Sequence, residues 1–79
     1  MNTELISNLN RIHTTELGVV RIKKNLGLLD VDVVEWCKEK IKEASGVVRQ
    51  GKNWYVHTAN AVITINAYSF TIITAHKAK

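Results

Sequence analysis

A chain of 79 residues with one cysteine is long enough for one small hydrophobic core, and it excludes an intrachain disulfide framework or a cysteine-based zinc cluster. The net charge of +4 permits a polyanionic partner without requiring one. The N-terminus lacks the basic start and apolar run of a signal peptide, and no apolar segment approaches the roughly 18 residues that span a bilayer. We therefore expect a single cytoplasmic domain over residues 1–79 with no membrane partner.

Three helices are predicted in the N-terminal half, over residues 3–13, 15–26 and 32–44. Apolar residues recur along one helical face between Leu5 and Ile12, which indicates the first helix. Thr14 is suited to cap the second helix, and Gly27 is suited to end it in a left-handed conformation. The third helix has an apolar face and a charged face with glutamates and lysines three residues apart.

Four strands are predicted in the C-terminal half, over residues 47–49, 52–57, 61–66 and 69–77. Two-residue turns would fix their register as an antiparallel meander. One face of this meander is apolar, with the rows Trp54–Ile65–Phe70 and Val56–Ile63–Ile72. The other face is mostly polar, with the rows Asn53–Asn66–Ser69, Tyr55–Thr64–Thr71 and His57–Val62–Ile73. By the same alternation, His76 falls on the apolar side at the end of its strand.

The predicted fold is therefore α+β, with three N-terminal helices packed on one face of a three- to four-stranded antiparallel β-meander. The polar face of the sheet is left open. An open polar face is ordinary in antiparallel sheets, so it is not by itself a sign of function.

Four segments resemble one family of small bacterial proteins catalogued as a domain of unknown function, number 3781. They read IHTTELG followed by RI (residues 12–18 and 21–22), VEWCK (34–38), GKNWY (51–55) and NAYSFTIITAHK (66–77). The resemblance covers essentially the whole chain. It implies membership of an uncharacterised family and no particular activity.

Helices followed by a meander also resemble the fold of the barnase, colicin-type and RelE-type ribonuclease toxins. That resemblance implies RNA cleavage without a metal ion by side chains on the open sheet face. Such cleavage needs a base, an acid and positive charge near the phosphate. The candidate catalytic residues are His57, His76 and Tyr55, although solvated histidines at strand ends are more common. His13 is interpreted as a structural residue between the first two helices.

RNA or another polyanion is the partner that the polar face and the basic residues favour. Amide and hydroxyl side chains can hydrogen-bond to bases, a tyrosine can stack on them, and basic side chains can contact phosphates. Cross-strand pairs of the same polar residues also stabilise sheets that bind nothing. The candidate binding residues are Arg21, Lys24, Arg49, Lys52, Asn53, Asn66, Ser69, Thr71 and Lys77.

Two other functions remain open. The sheet face or an edge strand can form a protein-interaction surface or a homodimer without catalysis. Three helices followed by a hairpin also resemble a winged helix–turn–helix that binds DNA, but Glu35, Glu39 and Glu43 on the third helix would repel phosphates. No cofactor and no metal ion is expected.

Overall fold

Helices occupy the N-terminal half of the chain and strands the C-terminal half in the computed structural model, which describes residues 3–78. The predicted domain ends at residues 1 and 79 lie outside that range. The helices are α1 (Thr3–Ser7), α2 (Glu16–Leu26) and α3 (Val33–Lys42), with a 3-10 turn at Leu9–Arg11. The strands are β1 (Gly46–Gln50), β2 (Asn53–His57), β3 (Ala61–Asn66) and β4 (Ile72–Lys77), in the sheet order β1-β2-β3-β4. The α+β class and the antiparallel sheet are confirmed.

The helical half differs from the predicted set of three similar helices. The predicted first helix over residues 3–13 stops at Ser7, and its last part is the 3-10 turn. At the break, the Asn8 side chain donates to the carbonyl of Glu4 at 2.8 Å, and such local side-chain bonds compete with helix propagation. Two full helices and one short helical segment therefore supply the helical part of the fold.

The ends of the two full helices follow from their capping residues. Thr15, rather than the predicted Thr14, caps α2 by accepting from the backbone N–H of Gly18 at 3.0 Å. Gly27 ends α2 with a φ of 66°, as predicted. Asp32 caps α3 by accepting from the N–H of Glu35.

One hydrophobic core joins the helical half to one face of the sheet. The Trp54 side chain is 1% exposed, and its ring tilts against Phe70 with the centroids 5.3 Å apart. The fully buried large side chains come from every helix and from β2, β3 and β4: Leu5, Ile22, Cys37, Ile41, Trp54, Val56, Ile63, Ile65 and Ile72. The predicted apolar face is thus confirmed as the core face.

The register between β2 and β3 is the predicted one, with Trp54 opposite Ile65 and Tyr55 opposite Thr64. The predicted register between β3 and β4 is wrong. Ile65 pairs with Ile72 instead of Phe70, and Thr64 pairs with Thr74 instead of Thr71. The remaining pairs shift as well: Ile63 faces Ala75 and Val62 faces His76.

The physical reason for this shift is the connection between β3 and β4. It spans residues 67–71 instead of a two-residue turn, and it includes Phe70 at a φ of 60°. A bulge near Thr64 and Ile65 then shifts the pairing by one more residue, which reverses the predicted faces of the residues after Ile73. As a result His76 lies on the polar side of the sheet, whereas the sequence pattern predicted the apolar side.

Candidate nucleic-acid interface on the open sheet face

The sheet surface opposite the core is called here the open face. Because side chains alternate along a strand, it carries the out-facing residues of all four strands. Thr64 lies near its centre, between Tyr55 and Thr74 in register, and is 7% exposed. The out-facing residues are Val48, Gln50, Asn53, Tyr55, His57, Val62, Thr64, Asn66, Thr74 and His76.

Two of the three predicted catalytic side chains share one row at an end of the open face. His57 and His76 both pair with Val62, so they flank it from the two neighbouring strands. Strand spacing places their Cα atoms about 10 Å apart. Both side chains are exposed, and within residues 3–78 neither imidazole has a hydrogen-bond partner. Tyr55, the third candidate, is half-buried in the adjacent row.

At the opposite end of the open face, a chain of hydrogen bonds links an imidazole to two hydroxyl groups. The His13 Nε2 atom lies 3.0 Å from Thr71 Oγ1, which lies 2.8 Å from Ser69 Oγ. The His13 Nδ1 atom lies 2.8 Å from the carbonyl oxygen of Arg11. We call His13, Thr71 and Ser69 the hydroxyl–imidazole chain.

The partners of His13 decide which ring nitrogen carries the proton. A carbonyl oxygen only accepts, so Nδ1 must donate to Arg11. In the neutral ring, Nε2 then has the free lone pair and accepts from the Thr71 hydroxyl. With its own proton given to His13, Thr71 Oγ1 accepts from the Ser69 hydroxyl at 2.8 Å. The same Ser69 hydroxyl lies 3.2 Å from Asn66 Oδ1. His13 is therefore held in one tautomer with its basic nitrogen toward the hydroxyl groups.

Two asparagines, opposite each other on β2 and β3, lie beside the hydroxyl–imidazole chain. Asn66 Oδ1 accepts from the backbone N–H groups of Tyr68 and Ser69 at 2.9 and 3.0 Å, which fixes the amide. Its Nδ2 group has no partner in the described part of the chain. The Asn53 Oδ1 atom is buried and also lacks a protein partner there. Asn53 and Asn66 thus add unused hydrogen-bonding groups beside the hydroxyls.

Sequence reasoning missed His13 as a member of this site. The sequence places this residue between the first two helices and predicts a structural role there, whereas its partner Thr71 lies 58 positions away. One local signal could have indicated it. Thr14 and Thr15 favour extended backbone ahead of a helix, which would have predicted a short extended segment from Ile12 to Thr14 instead of the end of the first helix.

Most of the predicted basic residues are separated from the open face. Arg49 lies on the core side of the sheet, because it pairs with Trp54. Its guanidinium is 5.9 Å from the centre of the Trp54 ring and 5.5 Å from that of the Tyr68 ring. Lys77 also lies on the core side, because it pairs with Ala61, and it lines a groove with Leu26 and Trp36. Lys52 is exposed in the turn between β1 and β2.

Arg21 is the predicted basic residue placed best to reach the open face. One turn later on α2, the Asn25 amide donates to the Ala75 carbonyl at 3.1 Å and to Thr74 Oγ1 at 3.4 Å. Residues four apart share a helix flank, so Arg21 lies on the flank that borders the open face. Lys24 is about 100° further round the helix from Asn25 and points away.

The charge of the protein is divided sharply between its two halves. Residues 1–43 contain seven acidic and seven basic residues, whereas residues 44–79 contain four basic residues and no Asp or Glu. The sheet half therefore carries the entire net charge of +4. On α3, the glutamates pair with lysines of the same helix, as in Glu35–Lys38 and Glu39–Lys42. This division can be read from the sequence, and it leaves the four strands of the sheet without a carboxylate side chain.

Comparison with known proteins places the chain in a family. The profile described as protein of unknown function (DUF3781) matches residues 6–76. The chain belongs to this family. No curated protein and no solved structure matches, so the resemblance to ribonuclease toxins stays a prediction. Within residues 3–78, no helix is long and apolar enough to cross a membrane.

Proposed function

We propose that this member of the family binds single-stranded RNA on its open face. The observation that carries the proposal is the absence of carboxylate side chains from residues 44–79, which form the uncovered sheet face, together with Arg21 on the border of that face. Phosphate contacts supply most of the affinity of such proteins, and a carboxylate at the surface would oppose them. The acidic residues lie instead on the helical half.

The side chains along the open face match the groups that single-stranded RNA exposes, which are its bases and its phosphates. Tyr55 can stack on a base, since every base has a π-face, and the amides and hydroxyls around Asn66 can bond to base edges. Arg21 on one border and the two histidines at one end supply phosphate contacts. The two polar ends of the face are about 13 Å apart, from the four-residue separation of Val62 and Asn66 on β3.

A salt titration with matched variants tests this proposal. Binding of a fluorescent single-stranded RNA is measured by anisotropy between low and physiological salt. Arg21→Ala should weaken binding and lower the salt slope by about 1, because one phosphate contact is lost. Tyr55→Ala should cost roughly 1–3 kcal/mol with the slope unchanged, because stacking releases no counterion.

The control for these variants is Lys42→Ala, which removes an exposed lysine that pairs with Glu39 on α3, away from the open face. It should bind RNA as the wild type does. If the wild type fails to bind RNA even at low salt, the proposal is wrong.

Assembly is the second candidate function, and β1 is the observation that favours it. This strand pairs with β2 on one side only, and Val48 at its middle is 50% exposed. An edge strand without proline, lysine or a bulge is open to pairing with a second strand. Light scattering after size exclusion should then give the mass of a dimer, which Val48→Lys would reduce to that of a monomer.

A further inference from the structure

We propose that His13 is the general base of a metal-independent cleavage of the bound RNA, with Asn66 as a hydrogen-bond donor to the reacting phosphate. This inference rests on the proposed RNA binding and adds a reaction to it. The predicted catalytic residues His57 and His76 take the role of phosphate contacts instead.

Orientation separates His13 from the other two histidines. A general base must be held in reach of the proton that it removes. His13 is fixed at both ring nitrogens, by the Arg11 carbonyl at 2.8 Å and the Thr71 hydroxyl at 3.0 Å. All three histidines are exposed, but the imidazoles of His57 and His76 have no hydrogen-bond partner within residues 3–78.

The tautomer of His13 is the one that a base requires. Its Nδ1 proton is engaged by Arg11, so the lone pair on Nε2 points at a hydroxyl donor. In the free protein this donor is Thr71. In the complex, the 2′-hydroxyl of a ribose takes the place of Thr71, which retains Ser69 as its partner.

The reaction is an internal transphosphorylation. The 2′-oxygen gives its proton to His13 Nε2 and forms a bond to phosphorus, while the bond from phosphorus to the 5′-oxygen breaks. The leaving 5′-oxygen takes a proton from water, His13 gives its proton to the resulting hydroxide, and the product ends in a 2′,3′-cyclic phosphate. The Asn66 Nδ2 group, held by the two backbone bonds to Oδ1, donates to a phosphoryl oxygen as charge develops on it.

The test is cleavage of a labelled RNA by the purified full chain in the presence of a chelator. His13→Asn keeps a donor for the Arg11 carbonyl and removes the base. It should slow cleavage by roughly 100- to 10,000-fold, the usual range for a general base. Binding of a 2′-O-methyl RNA of the same sequence, which lacks the proton to be removed, should stay within about 2-fold and show that the variant is folded.

Two further variants separate the roles of the neighbouring residues. The double variant His57→Ala and His76→Ala should weaken RNA binding, because it removes two phosphate contacts. Thr71→Val should still cut, because the proton comes from the RNA. A loss in Thr71→Val as deep as that in His13→Asn would show that cleavage needs the Thr71 hydroxyl itself and would overturn the direct transfer of the RNA proton to His13.

The outcomes for the wild type are also distinct. Wild-type protein that binds the 2′-O-methyl RNA but leaves the unmodified RNA intact overturns this inference and leaves RNA binding in place. Wild-type protein that binds neither RNA overturns the proposed function itself. Cleavage that persists unchanged in His13→Asn assigns the base to another residue.

Discussion

The imidazole of His13 and the hydroxyl of Thr71 are 3.0 Å apart, although 58 positions separate them in the chain. Backbone bonds create this proximity. The N–H of His13 donates to the Phe70 carbonyl at 3.3 Å, and the N–H of Ile72 donates to the His13 carbonyl at 2.7 Å. Residues 12–14 thus form a strap that runs parallel to the start of β4. The same strap that extends the sheet edge also places the imidazole at the open face.

Gly18→Ala should destabilise the protein by roughly 1–3 kcal/mol. Thr14 at the end of the strap donates to the Ile72 carbonyl at 2.8 Å, and a Cβ on Gly18 would collide with that hydroxyl oxygen. The side chain of Thr14 must then rotate and leave a part-buried carbonyl without its partner. Urea denaturation measures the loss.

Gly46→Ala is the matched control for this substitution. A Cβ on Gly46 meets no atom within 4 Å, and the residue does not have a positive φ. Alanine there should leave stability unchanged or raise it slightly, because alanine lowers the conformational entropy of the unfolded chain. Equal losses of stability in both variants would show that the clash between residue 18 and Thr14 is not the cause of the loss in Gly18→Ala.

Trp54→Ala should cost roughly 3–5 kcal/mol in the free energy of unfolding, as other large-to-small changes in cores do. The side chain is 1% exposed and packs on Phe70. In a protein of 79 residues, such a loss approaches the whole stability. Trp36→Ala, which removes a half-buried tryptophan, should cost less. A loss below about 1 kcal/mol for Trp54→Ala would contradict its place in the core.

Alkaline pH should weaken the fold through Cys37. Burial raises the pKa of this thiol from 9.0 to about 12. The unfolded chain releases the proton above about pH 9 while the folded protein keeps it, so stability is lost as pH rises from about 9 to about 12. The decline is up to about 1.4 kcal/mol per pH unit.

Cys37→Val isolates this contribution from the lysines and tyrosines that titrate in the same window. The difference in unfolding free energy between wild type and Cys37→Val should shift with pH above 9 in favour of the variant. A difference that stays constant to pH 11 would mean that the thiol does not titrate on unfolding.

The parts of the fold that follow from local rules could be predicted from the sequence. Alternation fixed the core face and paired Trp54 with Ile65, because the β2–β3 connection is short. The same rule failed for β4. The Asn66 side chain there binds two backbone N–H groups in a longer connection, and a bulge follows. The longer connection shifts the pairing by two residues, which keeps Ile72 on the core face. The bulge shifts it by one more residue, which moves His76 to the open face.

The candidate site was less predictable, since its parts come from distant segments. Asn66, Ser69 and Thr71 could be named as polar face residues, and they do lie together. His13 could not be assigned to them, because nothing near it in the sequence indicates a parallel bridge to Thr71. Arg49 and Lys77 were assigned by charge alone, and the pairing of their strands places them on the core side.

The most direct test of the RNA-binding proposal is a two-dimensional NMR titration of the 15N-labelled protein with a short single-stranded RNA at low salt. The proposal predicts that amide shifts concentrate at Tyr55, Thr64 and Thr74 on the open face and at His13 in the strap, while α3 stays unchanged. Shifts that concentrate on α3, or no shifts at all at millimolar RNA, would contradict it.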